Sequence, residues 1–138
     1  MADLQSIQGT LDSLGFQILA LSPDRPGMLA PVRERHELGY RLFSDCAMHA
    51  ASALGLAFHV DDETVTRYLG WGIDLEADSG HAHHLLPVPA VLLLDPAGTV
   101  AFSYINPDYK RRLDGQLLLA AARSCLRQWA EDENGTKP

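Results

Sequence analysis

Leu86-Pro87-Val88-Pro89-Ala90-Val91-Leu92-Leu93-Leu94-Asp95-Pro96-Ala97-Gly98-Thr99-Val100-Ala101-Phe102 decides how the fold is read. A proline stands directly before a fully apolar run. Ala90 to Leu94 shows no polar alternation, so it is expected to be a strand buried on both faces, inside a sheet flanked by helices. Asp95-Pro96-Ala97-Gly98 has turn chemistry: Pro96 fixes φ and Gly98 accepts a positive φ. Val100, Phe102 and Tyr104 then alternate with small or polar residues, as in a half-exposed antiparallel edge strand.

Working outward, Leu4, Ile7, Leu11 and Leu14 recur at helical spacing, and Gly15 is placed to end that helix. Phe16 to Leu21 reads as a short apolar strand. Asp24 is suited to cap a helix reaching about His36, with Met28, Leu29 and Val32 inward and Pro31 delaying or kinking it. Arg41 to Phe43 is a short strand. Ser44 or Asp45 caps a helix through Leu54, closed by Gly55. Asp61-Asp62-Glu63 opens a further helix, and Gly70 to His84 reads as a loop. The last helix runs from about Asp114 to Ala130, with Leu118, Ala122, Cys125 and Trp129 as its inner stripe. Residues 131–138 are expected to fray.

The 138 residues, 46% of them hydrophobic, are expected to form one domain spanning 1–138. Acidic residues outnumber basic ones by 18 to 11, giving a formal net charge of −7. That balance argues against nucleic acid and anionic membranes, because phosphate contacts need clustered Lys and Arg. There is no apolar leader after Met1 and no run long enough to span a bilayer, so the expected address is cytoplasmic. The two cysteines, Cys46 and Cys125, are expected to be free thiols in a reducing compartment.

The motif order Leu14-to-Asp24, Tyr40-to-Asp45, Ala53-to-Leu56, Leu86-Pro87-Val88-Pro89-Ala90, Asp95-to-Val100 and Asn106-Pro107-Asp108-Tyr109 resembles peroxiredoxin-like proteins. These are the alkyl hydroperoxide reductase/thiol-specific antioxidant (AhpC/TSA) redoxins of the thioredoxin superfamily. The resemblance runs from about Leu4 to Leu119. It implies an α/β fold: a thioredoxin-like mixed sheet flanked by helices. It also implies relatedness to thiol-dependent peroxide or disulfide reduction, with a peroxide substrate and a thioredoxin-type reductant as partners. In the family the reactive Cys, often in Cys-x-x-Cys, ends a strand that precedes the first helix. Here that helix starts at Met1, so the fold is expected as an N-terminally truncated one, inactive in this form.

A sheet lacking that strand has a gap between Phe16–Leu21 and Ala90–Leu94. Three expectations follow: the two strands close up, a homodimer covers the gap, or the native product is longer. The alternative function is a non-catalytic module for protein interaction or dimerisation.

Few residues carry candidate chemistry. Resemblance implies a cis Val88–Pro89 bond that receives substrate, making Val88 and Pro89 the candidate substrate contacts. Cys46 is the candidate catalytic thiol, expected in the first turn of a helix where N–H groups stabilise a thiolate. The competing reading is a half-buried residue with no partner. His49, three residues on, can approach Cys46 on a helix, but no orienting group or oxyanion site accompanies it. Cys125 reads as an inert core residue. His81, His83 and His84, with Asp74, Glu76 and Asp78 upstream, have the chemistry for zinc or nickel. A solvated loop without cysteine is the preferred reading, so neither metal nor cofactor is expected. No phosphate-binding glycine loop and no nucleophile-elbow motif occurs.

Overall fold

The computed structural model describes residues 2–135. The elements, in order, are α1 (Ala2–Ser13), β1 (Leu19–Ser22), α2 (Pro26–Arg35), β2 (Arg41–Ser44), α3 (His49–Ala53), β3 (Ala57–His59), α4 (Asp62–Gly70), α5 (Leu75–Ser79), β4 (Leu85–Pro87), β5 (Ala90–Leu94), β6 (Val100–Ile105) and α6 (Gly115–Gly135). The architecture is mixed α/β, with three two-stranded ladders: β1 with β2, β3 with β4, and β5 with β6. The described residues fall into two compact units, within 1–18 plus 89–138 and within 19–88.

The first unit is built on the stripes read from sequence. Ile7 and Leu11 of α1 bury against Leu118, Leu119, Ala122 and Cys125 of α6 and Leu93 of β5. Leu4, Leu14, Phe16, Ile18 and Trp129 pack around them. Gly15, at φ 86°, leaves α1 in the left-handed region that glycine occupies without strain. β5 and β6 are antiparallel, Leu93 facing Phe102 and Leu94 facing Val100, with a bulge between them. Asp95 organises the turn: its carboxylate accepts from Ala97 N at 2.9 Å and Thr99 N at 2.8 Å. Within this unit Leu93 is the fully buried residue of β5, Leu94 is exposed, and the strand pairs with β6. α6 continues to Gly135, through much of the segment expected to fray; residues 136–138 lie outside the described residues.

In the second unit β1 and β2 are parallel, with Leu21 opposite Phe43 and Ser22 opposite Ser44. The expected strand Phe16–Leu21 is divided: Phe16 and Ile18 join the other core, and pairing starts only at Leu19. The ladder partner of β1 in this unit is β2. Helix α2 begins at Pro26, whose fixed φ suits the first helical position, and it contains Pro31 without interruption. Asp24 does not cap it, and Met28 is exposed rather than inward. Two short strands escaped the sequence reading, β3 and β4, which pair antiparallel with Phe58 opposite Leu86. So did α5, within the supposed loop, capped by Asp74 accepting from Ala77 N at 3.0 Å. α4 opens as expected, Asp61 accepting from Thr64 N at 2.8 Å. Those bonds hold the Asp61 carboxyl below its usual range.

Candidate functional site

Because β1 and β2 run parallel, both chains leave their ladder at the same end. Carboxyl ends of parallel strands are where open α/β folds place their chemistry, since loops diverge there and expose backbone groups. Here Ser22 ends β1 and Ser44 ends β2, and their hydroxyls tie the two exits together. Ser44 Oγ donates to the Asp24 carbonyl at 2.6 Å. Ser22 Oγ donates to Asp24 Oδ2 at 2.9 Å. One further ladder-like bond runs from Asp45 N to Ser22 O at 2.7 Å.

Cys46 sits just beyond, in a turn closed by Met48 N donating to Asp45 O at 2.7 Å. Its backbone is held at both ends: its N–H reaches Ser44 Oγ at 3.4 Å, and its carbonyl meets His83 Nε2 at 2.7 Å. The thiol is half-buried and forms no disulfide. Cys46 therefore precedes α3 and is not in its first turn. The helix starts late because Met48 takes the left-handed conformation, φ 58°, and is almost completely buried. A non-glycine residue in that region costs about 1–3 kcal/mol and persists only where packing holds it. The cap comes from Asp45, whose carboxylate accepts from Ala50 N at 3.0 Å and Ala51 N at 2.9 Å.

The imidazole beside Cys46 is His83. His49, the residue three positions on, is exposed at the start of α3. His83 Nδ1 accepts from Leu85 N at 2.9 Å, so in the neutral ring the proton is on Nε2, which donates to the Cys46 carbonyl. His81 stacks on this ring, centroids 5.4 Å apart and planes 11° apart. His84 turns away and meets Glu76 Oε1 at 2.7 Å. His81 and His83 thus stack on one another while His84 pairs with Glu76, and the described residues hold no grouping of three or more His, Cys, Asp or Glu able to hold a metal ion.

The loop before His81 closes the cluster. Arg25 N donates to the Asp78 carbonyl at 2.8 Å, and the buried Ser79 hydroxyl donates to Leu75 O at 2.7 Å. Burial pushes the Asp78 carboxyl up from its usual range; the charges of Asp24 and Asp74 add to this, and Arg25 opposes it. An open hollow of about 370 Å³ lies beside α4 and α5, lined by Leu69, Leu75, Glu76 and His84 among others, and not by Cys46.

Val88 and Pro89 are placed differently from the expectation. No cis peptide occurs among the described residues, so Val88–Pro89 is trans. The extended trans chain lets Val88 N donate to Leu56 O at 2.8 Å and Pro89 O accept from Asn106 N at 3.2 Å. Both residues thus prolong neighbouring ladders, and the trans isomer is the intrinsically favoured one. Cys125 lies on the buried stripe of α6, as expected.

Sequence reasoning missed the Ser22–Asp24–Ser44 tie and the contact of His83 with Cys46. The serines carried a signal, each ending a strand before an acidic residue; the histidine, 37 residues from Cys46, carried none.

No curated protein matches this chain. The AhpC/TSA family model matches residues 1–103, a span that contains both exits, the Cys46 turn and the β5 hairpin turn, and the chain belongs to that family.

Proposed function

We propose that this AhpC/TSA protein is a thiol-dependent redox protein in which Cys46 is the reacting group. One observation supports this above the others: Cys46 stands at the carboxyl ends of parallel strands with its N–H and C=O bonded, so the turn is fixed while the thiol stays unpaired. The buried Cys125 offers no such access.

The chemistry balances with a peroxide and an external thiol. The Cys46 thiolate attacks one peroxide oxygen; the S–O bond forms, the O–O bond breaks, and the alkoxide leaves as an alcohol after taking a proton. Peroxide is reduced by two electrons and Cys46 is oxidised to sulfenic acid. A reductant thiol then displaces water to give a mixed disulfide. A second reductant thiol frees Cys46 and leaves as the oxidised disulfide. Exposed Pro89, preceded by Val88, is the proposed substrate contact. A cytoplasmic address suits two unpaired thiols.

The test is peroxide consumption with a thioredoxin reducing system. Turnover that disappears in Cys46→Ser supports the reading; turnover no greater than that of Cys46→Ser refutes it.

A second reading has its own observation. Leu19, Leu21 and Phe43 are exposed on the β1–β2 ladder, with Leu21 opposite Phe43. Arg41, opposite Leu19, is the charged residue on that face; its apolar remainder favours association, and a homodimer through it is the non-catalytic alternative. Light scattering that gives a dimer mass, lost in Leu21→Lys, supports this reading; a monomer at all concentrations excludes it.

A further inference from the structure

We propose that His83 is the positioning residue for Cys46, bridging the thiol-bearing turn to the start of β4 in a way open only to one neutral tautomer. This rests on the reading of Cys46 as the reacting thiol. The bridge has two sides: Nδ1 accepts from Leu85 N at 2.9 Å, and Nε2–H donates to Cys46 O at 2.7 Å. The other neutral tautomer sets Nδ1–H against Leu85 N–H and a bare Nε2 against a carbonyl, so both contacts fail. The imidazolium keeps the bond to Cys46 but turns a donor on the Leu85 donor, so the bridge opens on that side.

His81 stacks flat on the ring, and an added charge there meets that neighbour face to face. The other ionisable groups of this loop cluster have separate partners. Asp45 faces the N–H groups of α3, Asp24 is held by Ser22, and the Asp78 backbone accepts from Arg25. His84 pairs with Glu76. None of these groups hydrogen-bonds to the His83 ring, so the ring's own proton decides whether the bridge stands.

What is positioned is specific. Cys46 and Ala47 occupy the middle of a turn whose far end is the strained Met48. With the carbonyl of Cys46 fixed, the plane of the Cys46–Ala47 peptide is fixed, and so is the direction from which the thiol is presented.

The experiment combines nitrogen NMR of the His83 ring, amide exchange at Met48, and Cys46 alkylation by iodoacetamide from pH 5 to 9, read by peptide mass. The expected ring is Nε2-protonated. His83→Ala is expected to speed Met48 amide exchange about fivefold to tenfold, as loss of one hydrogen bond does, and His83→Gln, which can still donate to Cys46 O, to restore most of it. Because protonating the ring opens the bridge on the Leu85 side, the wild-type pH profile of alkylation is expected to differ in shape from that of His83→Gln, which has no imidazole at this position. An Nδ1-protonated ring, unchanged Met48 exchange, or profiles of the same shape in the two proteins overturns the proposal. If His83→Ala does not fold, the wild-type ring and His83→Gln still decide. The NMR and exchange results do not depend on turnover, so failure of the peroxidase reading is recognised separately, by the Cys46→Ser assay.

Discussion

Asp45 is the residue on which the shape of the Cys46 turn depends, and replacing it isolates one interaction. In Asp45→Ala the backbone bonds to Ser22 and from Met48 remain, while the carboxylate bonds to Ala50 N and Ala51 N disappear. Helix α3 has five residues, too short to be stable without its cap. Loss of a cap costs about 0.5–2 kcal/mol, and bonds to a charged acceptor lie at the upper end, so the expected destabilisation is about 2 kcal/mol. With a urea m-value of about 2 kcal/mol/M, the unfolding midpoint falls by about 1 M. Asp45→Asn keeps one carbonyl acceptor without charge, and about half the shift is expected. Urea melts followed by circular dichroism give the midpoints, and exchange of the Ala50 and Ala51 amides localises the loss. A midpoint for Asp45→Ala within about 0.3 M of wild type refutes the reasoning, as does an Asn variant as unstable as the Ala variant.

Three further outcomes are expected. The raised carboxyl of Asp78 means the folded state holds that proton more tightly than the unfolded state, so stability falls as pH rises from 3.8 through the raised value. Asp78→Asn is therefore expected to melt above wild type at pH 7, the advantage closing as pH falls below 3.8; a variant less stable at pH 7 contradicts this. Leu93→Ala removes a buried side chain from the α1–α6–β5 core and is expected to cost about 3 kcal/mol in denaturant melts. In the native protein iodoacetamide is expected to modify Cys46 and spare the buried Cys125 until denaturant is added, which peptide mass mapping reads directly.

What could be read from sequence was what repeats. The α1 and α6 stripes needed only a period of 3.6, and both bury the residues that period selects. The Asp95–Gly98 turn was legible because a carboxylate, a proline and a glycine each impose a known local geometry. Strands of three residues leave no period to detect, and β4 ends on a proline, so β3 and β4 were invisible. Phe16 and Leu19 are both apolar, yet one fills a helical core and the other pairs in a ladder; hydrophobicity does not distinguish the two. Cys46 was placed one turn too late because a buried Met in the left-handed region delays the helix, and only tertiary packing holds it there. The partnership of Cys46 with His83 arises from loops meeting across 37 positions, and no local rule foresees it.

The packing of α1 against α6 means that two helices on either side of the segment 19–88 must find one another during synthesis. While the ribosome is still delivering that segment, the leucines of α1 have no permanent shelter. The segment 19–88 has all its own pairings in hand well before α6 emerges. Assembly is thus expected to complete the inserted segment first, with α1 and α6 clasping later and the exposed α1 stripe as the natural target for a chaperone in the interval.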